Sequence, residues 1–352
     1  MSSVNTRFRR QSRALHRTFR ELGMVAKALI FKYRPIHVQI IPTRYCNLDC
    51  GYCNEYDNVS EPVPLEEMYR RIDRLAELKT GLVFISGGEP LTHPQVDDII
   101  RRLRFRGMLA GLITNGLLLT KERIEALNRA GLDYLQISID NVERDEVSKK
   151  SLKVLDKKLE WLSQYAEFKV NINSVVGAGF KNPSDAVTIT ERARGLGFSS
   201  SVGIIHDGRG ELKPLDDKTL AAYRKIKQIN KGFLTFLYRF QDKLAAGEKL
   251  EWRCRAGARF LYICEHGLVH YCSQQLGYPG IPLAEYTVQD IRREFLTDKA
   301  CASKCTIQCV HLTSYLDEWR APQKGESHLV KHEPSCNCLT RAGLVQIAPA
   351  GD

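Results

Sequence analysis

Three cysteines fall within eight residues in the stretch "RYCNLDCGYCNEYD", at Cys46, Cys50 and Cys53. Thiolate sulfur suits zinc and iron–sulfur clusters. A closed zinc site takes four ligands, and disulfides take cysteines in pairs, so three is an incomplete set for either. Two chemistries stay open. One is a tetrahedral zinc closed by a distant fourth ligand. The other is a cubane iron–sulfur cluster on three thiolates, with one iron left open to a substrate or cofactor. Placement on a loop after a strand favours the second, and puts Asn54, Glu55 and Tyr56 close to whatever binds.

A second group follows about two hundred residues later: Cys254, Cys264, Cys272, Cys301, Cys305, Cys309, Cys336 and Cys338. No secretory signal or membrane-length apolar run is evident, so a cytoplasmic location is expected, where thiols stay reduced and clustered cysteines bind metal. A structural zinc knot and an iron–sulfur site are both open for this group.

The elements that must position these residues alternate regularly. "IHVQIIP" reads as a strand running into the first cysteine loop, followed by a helix in "PLEEMYRRIDRLAELK". Strands in "GLVFIS", "LAGLIT", "LDYLQISID", "FKVNINSVV" and "FSSSVGIIH" each precede a helix, the third of these over "SKKSLKVLDKKLEWLSQYA" and the last in the long helical region 216–245. Six strand–helix units predict an α/β protein, either an open doubly wound sheet or an incomplete barrel. In both, sites lie at the C-terminal strand ends. Those ends carry the cysteine loop, "SGGEP", "TNG", "SID" and "HDGRG", while "NIN" lies within the fifth strand. After residue 250 the alternation stops, "YICEHGLVHYC" reads as a hairpin, and 322–335 as a polar loop. The organisation expected is 1–34 basic helix, 35–245 barrel and 246–345 Cys-rich extension.

"CNLDCGYC" resembles the CxxxCxxC motif of radical S-adenosylmethionine (SAM) enzymes, with the aromatic Tyr52 before the last cysteine. "SGGEP" at 86–90 and "SID" at 138–140 resemble further segments of that family, over roughly residues 36–240. The resemblance implies a partial (β/α)6 barrel of TIM type. It implies a [4Fe–4S] cluster on Cys46, Cys50 and Cys53, with SAM on the fourth iron, cleaved reductively to a 5′-deoxyadenosyl radical that removes hydrogen from substrate. A reductant such as flavodoxin or ferredoxin is implied with it. Gly87, Gly88 and Glu89 would line the methionine end of SAM. Ser138 and Asp140 would reach its ribose or carboxylate, and alternation places Gln136 on the same face. Asn171 and Asn173 share a face and are expected to point into the site, with Asn115 and His206 as weaker candidates. No catalytic acid or base is assigned.

The pattern from Cys254 through "GLVHYC" at Cys272 resembles the opening half of the SPASM/twitch extension of radical SAM enzymes, which binds auxiliary [4Fe–4S] clusters. "CASKCTIQC" would supply further ligands from Cys301, Cys305 and Cys309, although the spacing departs from a full SPASM knot. One auxiliary cluster is expected. Cys336 and Cys338 could serve a second, and Cys264 reads as a buried inert thiol. Such a cluster would transfer electrons or shape the substrate pocket.

The net charge of +11 is concentrated at the N-terminus. Residues 7–20 hold six arginines, and Glu21 is the sole acid before residue 35. A nucleic-acid-binding field over the whole protein is not indicated. Residues 7–32 read as a helix with Phe8, Leu15, Phe19, Leu22 and Leu29 along one face and Arg on the other. Three roles are open: a helix docked by its apolar face with a solvated basic face, a membrane-surface helix with Arg toward anionic lipid, or an RNA-contacting arm. The expected substrate is a small or hydrophobic, lipid-like metabolite undergoing oxidation or carbon–carbon bond formation. Maturation of a ribosomal peptide is the alternative, and a non-catalytic metal protein contacting RNA is the remote one.

Overall fold

The computed structural model describes residues 2–53, 55–177, 180–205 and 213–320. Its helices and strands run in chain order α1 (Ser2–Ile30), β1 (His37–Ile40), α2 (Leu65–Glu77), β2 (Leu82–Ile85), α3 (Val96–Phe105), β3 (Leu109–Thr114), α4 (Lys121–Ala130), β4 (Tyr134–Ser138), α5 (Leu152–Tyr165), β5 (Lys169–Gly177), α6 (Pro183–Gly195), β6 (Ser199–Ile205), α7 (Asp217–Ile229), α8 (Phe240–Ala245), β7 (Phe260–Ile263), β8 (Leu268–His270), β9 (Pro279–Pro282), α9 (Val288–Leu296) and α10 (Gln308–Tyr315). Strands β1 to β6 lie side by side in sequence order and all pair in parallel. This is the expected six-unit partial barrel.

The hairpin expected within the C-terminal extension is β7–β8, and it does not stand apart. β7 pairs in parallel with β1, with Gln39 beside Tyr262, so the Cys-rich extension continues the barrel sheet at its β1 edge. Two helical boundaries also shift. The helix expected over 148–166 starts at Leu152, because Ser148 and Lys150 are drawn into side-chain bonds near the first cysteines. The region 216–245 divides into α7, a 3-10 turn over Phe233–Tyr238, and α8, with Gly232 between the first two.

Alternation along each strand separates two environments. Val38, Ile40, Val83, Ile85, Leu112, Leu135, Ile137 and Ile172 are buried against Met68, Ile72, Leu75, Ile99, Leu103, Leu127, Leu155 and Leu159 of the helices. The opposite residues face the barrel interior. Toward the N-terminal strand ends these are aromatic: His37 stacks on Phe84 with ring centroids 5.1 Å apart, and Phe84 on Tyr134 at 6.0 Å. Further up they are Gln136, Asn171, Asn173 and Ser201, joined by side-chain hydrogen bonds.

Helix α1 crosses the N-terminal ends of β5, β4, β3 and β2, opposite the cysteine loop. Its orientation corrects the first sequence expectation, because the arginine face is the docked one. Arg10 donates to the carbonyls of Leu162, Ser163 and Ala166 at the end of α5. Arg13 donates to Asn128 O at the end of α4 and pairs with Glu167. Arg20 pairs with Asp133 and donates to Met108 O after α3. Met24 packs against Gly81. The physical reason is that each barrel helix runs antiparallel to its strand, so helix C-termini gather at this end. Their last carbonyls lack intrahelical partners and carry the negative end of the dipole. Arginine side chains satisfy both. Phe8, Leu15, Phe19 and Leu22 point away from the body and are exposed.

Candidate active site

The first cysteine loop is fixed by backbone pairing on both sides. Cys46 N–H donates to Asp57 O at 3.0 Å, and Asp57 N–H to Arg44 O at 2.9 Å. Asp57 closes the far side by accepting from the N–H groups of Val59 and Ser60. The "SGGEP" turn after β2 lies directly against this loop, with Gly88 N–H on Thr43 O and Glu89 N–H on Tyr45 O at 2.8 Å. A Cβ on Gly87 would overlap Thr43 O, and one on Gly88 would overlap the carbonyls of Arg44 and Tyr45. The two glycines therefore let one backbone approach another. Gly87 also holds φ +123°, in the region that favours glycine.

Glu89 is fully buried. Its carboxylate accepts from Leu91 N–H at 3.0 Å, Thr114 Oγ1 at 2.7 Å and Asn115 N–H at 2.8 Å. Burial raises its pKa, and these donors pull against that rise. Glu89 thus ties the end of β2 to the end of β3. Asn115, held by that tie, turns Nδ2 toward Asn47 Oδ1 at 2.7 Å and Cys46 Sγ at 3.9 Å.

On the other side of the thiols, Tyr52 donates to Asp140 Oδ2 at 2.7 Å, and Ser148 Oγ donates to the same oxygen at 2.8 Å. Lys150 Nζ lies 2.5 Å from the Tyr52 hydroxyl and 3.6 Å from Asp140. Burial, the largest single influence, lowers the lysine pKa, but Asp140, Tyr52, Cys50 and Cys53 together outweigh it, and the ammonium is held above its ordinary range. Lys149 N–H donates to Cys50 Sγ at 3.4 Å. Burial pushes the Cys46 thiol up to about 11, and Cys53 rises for the same reason, opposed by Lys150. Ser148, Lys150 and Asn47 are site residues that sequence reasoning missed. Asn47 is one of the variable positions inside the cysteine motif, whereas Ser148 and Lys150 lie in a stretch with no motif, about a hundred positions away, and only the fold brings them to the cysteines.

Asp140 provides the test of whether this site suits the expected cofactors. Its Oδ2 takes two hydroxyl donors, while Oδ1 is buried with no hydrogen-bond partner. An unsatisfied buried carboxylate oxygen beside three thiols is an acceptor prepared for an outside donor, such as a ribose hydroxyl or an amino group. The donor set, three sulfurs and a neighbouring cation, fits an iron–sulfur cluster with an open position, and the residues present fit SAM beside it. Among the described residues no three His, Cys, Asp or Glu side chains are arranged to hold a metal ion. The fit therefore rests on the donor set and on Asp140.

Ser138 pairs in register with Asn173, whose Oδ1 accepts from Ser201. Gln136, Ser138, Asn171, Asn173 and Ser201 are all half-buried on the interior side of β4, β5 and β6. His206, Cys336 and Cys338 lie outside the described residues.

The second thiol group is also brought together. Cys254 and Cys272 are buried, and Cys301, Cys305 and Cys309 half-buried. Burial raises Cys272 and Cys305, and both are raised further by Cys254 and Cys301; Cys309 is pushed up to about 12 by burial. Cys264 shares a buried cluster with Cys254 and Cys272, and its charged neighbours are Glu265 and Arg71. One residue spans both thiol groups. Glu55 accepts from Tyr262 and Ser273, has its pKa raised by burial, and acts electrostatically on Cys53 and Cys309. A cavity of about 1070 Å³ lies elsewhere, among Phe240, Trp252, Lys299, His311 and Tyr315, and touches only Cys254 of the described thiols. The chemistry belongs to the thiol face, where the unpaired acceptor and the cation converge.

The pattern of the Radical SAM superfamily matches residues 40–212. The GTP 3′,8-cyclase of Aquifex aeolicus is 31% identical over 236 residues, which cover 60% of this chain and 73% of that protein. The chain belongs to the radical SAM superfamily. As a radical SAM enzyme it takes a [4Fe–4S] cluster and SAM, and the three-cysteine loop at the end of β1 is where that pairing fits.

Other radical SAM relatives match more locally. The AdoMet-dependent heme synthase of Methanosarcina barkeri is 31% identical over 193 residues, covering 52% of this chain and 54% of its own length. The PqqA peptide cyclase of Gluconobacter oxydans is 36% identical over 109 residues, covering 28% and 29%. The chain thus spans about half of the first and under a third of the second. Two solved structures share the fold. Streptococcus suis SuiB has TM-score 0.55 at 16% identity, over 74% of this chain and 66% of that one. Native anSMEcpe with bound AdoMet and Cp18Cys peptide has TM-score 0.53 at 15% identity, over 81% and 95%.

Proposed function

We propose that this radical SAM enzyme oxidises or crosslinks a side chain of a peptide substrate. The observation that carries this reading is the interior wall above the aromatic layer. Gln136, Ser138, Asn171, Asn173, Ser199 and Ser201 give it neutral amides and hydroxyls on three adjacent strands. Such a wall offers donors and acceptors to peptide groups, whereas a lipid-like substrate calls for an apolar lining. The likeness to a PqqA peptide cyclase, and to a structure holding a peptide, supports the same choice.

Cys46, Cys50 and Cys53 would hold the cluster, which together with SAM would supply the radical chemistry for hydrogen-atom abstraction. The chain's residues do the rest. Asn115 and Lys149 N–H direct hydrogen bonds at Cys46 and Cys50, which stabilises thiolate charge. Lys150 adds a fixed cation next to Cys50 and Cys53. Asp140 Oδ1 orients a donor on SAM. Cys254, Cys272, Cys305 and Cys309 would hold one auxiliary cluster on the barrel-edge side, with Cys301 a competitor for the last two positions and Glu55 between the two thiol groups.

Anaerobic reconstitution tests this reading. Iron and sulfide should exceed one cubane per chain, and fall to one in Cys272→Ala. Reduced enzyme should form 5′-deoxyadenosine from SAM, faster with short peptides encoded beside its gene, and the peptide should lose two hydrogens in mass. Stimulation by a lipid extract, with peptides inert, would overturn the peptide reading.

A further inference from the structure

The outward side of α1 carries a second pattern. Phe8, Leu15, Leu22 and Leu29 are spaced seven residues apart, and Ser12, Phe19 and Ala26 fall four residues after each of the first three. Together they are the a and d positions of an unbroken heptad repeat, about 32 Å long at 1.5 Å per residue. All seven are exposed, and the five large ones are between 41% and 71% accessible. At 100° per residue this seam is centred directly opposite Arg10, Arg13, Arg17, Arg20 and Met24, on the face turned to the barrel. The body therefore does not obstruct what covers it.

We infer that α1 pairs with α1 of a second copy of this chain, antiparallel about a two-fold axis at the level of Arg17. The sizes of the seam residues select this arrangement. Antiparallel pairing sets Phe8 against Ala26 of the second copy, Ser12 against Leu22, and Leu15 against Phe19, so that large side chains fill the space beside small ones. Parallel pairing would put Ser12 on Ser12 and Phe19 on Phe19, alternating gaps with crowding. The residues flanking the seam include Arg9, His16, Gln11 and Thr18 but no acid, so they supply little besides solubility. With Leu, Ile and Phe each exposing on the order of 200 Å² when free, the seam and Ile30 offer roughly 700 Å², close to the ~800 Å² per partner of a standard interface. Docking has already fixed the helix, so association does not bear the cost of forming it. The seam is narrow and keeps a 3.5-residue period, which a helical partner needs and a bilayer does not.

Sedimentation of the full chain over a wide concentration range should show a reversible dimer. L15E/L22E should sediment as monomer with unchanged melting temperature and iron content, because those side chains are largely exposed on the face turned away from the barrel. L15K and F19E chains should each be monomeric alone and form a one-to-one dimer when mixed, since antiparallel pairing brings those two positions together. A wild-type chain that stays monomeric overturns the inference, as does a mixture that stays monomeric. Flotation of monomer on vesicles of anionic phospholipid, abolished by L15E/L22E, would assign the seam to a bilayer instead.

Discussion

Tyr52 and Asp140 are joined by a 2.7 Å hydrogen bond that links the residue before the third cysteine to the loop after β4. Asp140 meets the protein through one oxygen and leaves the other for an incoming donor. Asp140→Asn is therefore expected to weaken SAM binding at least tenfold, measured by equilibrium dialysis of reconstituted protein, while iron content stays at the wild-type level. Unchanged affinity would remove Asp140 from the SAM site.

Glu89 acts through Asn115 and Thr114 rather than by reaching outward. All its partners are donors, so an amide in its place would set N–H against N–H. Glu89→Gln should cost about 1–3 kcal/mol, the penalty for an unmatched buried polar group. The urea midpoint should fall with little change in slope. A midpoint equal to wild type would show that the tie between β2 and β3 carries no energy.

His37 sits between Phe84 and Phe260, with burial lowering its pKa to about 4 and Nε2 unpartnered. In the unfolded chain it titrates near the ordinary 6.5. As pH falls below that value the unfolded state binds a proton that the folded state refuses, so stability declines until about pH 4 and then levels. The contribution is about 3 kcal/mol at most. His37→Phe keeps a ring in the stack and should flatten the stability–pH profile in that window by one proton. An identical slope in both proteins would contradict the buried neutral imidazole.

Arg259 is fully buried and pairs with Asp317 at 2.5 Å, while donating to the carbonyls of Ala28, Phe31 and Arg34. Arg259→Met leaves Asp317 with Arg320 as its remaining partner and strips three carbonyls at the end of α1. A loss of about 3–5 kcal/mol is expected. Trypsin should then cut after Lys27 or Lys32 well before the barrel is attacked. Cleavage at the wild-type rate would show that α1 is held by its arginines alone.

The parts of the site that share a strand end were legible in the sequence. Cys46, Gly88 and Asp140 sit in short motifs, and strand alternation put Asn171 and Asn173 on the interior face. Lys150 and Ser148 were not legible, because nothing near them signals proximity to Cys50, and they also displace the start of α5. The orientation of α1 was hidden for a different reason. Amphipathic spacing identifies two faces but not which is covered, and the answer lies in the carbonyls of α3, α4 and α5, which meet only in the folded barrel. The placement of β7 beside β1 likewise depends on pairing that local pattern does not encode.

The Arg259–Ala28 bond joins residues 231 apart in sequence, and Asp317 lies 58 further on. During synthesis α1 is made before the barrel, yet its attachment to Arg259 waits until the barrel strands have followed. Its cationic face can be covered once Met108 to Glu167 have folded, whereas its apolar face stays uncovered even on the folded monomer. The nascent chain thus carries an adhesive helix while the first half of the barrel is being made, and the Arg259 contacts that complete its seating come from the same extension whose β7 adds to the barrel sheet.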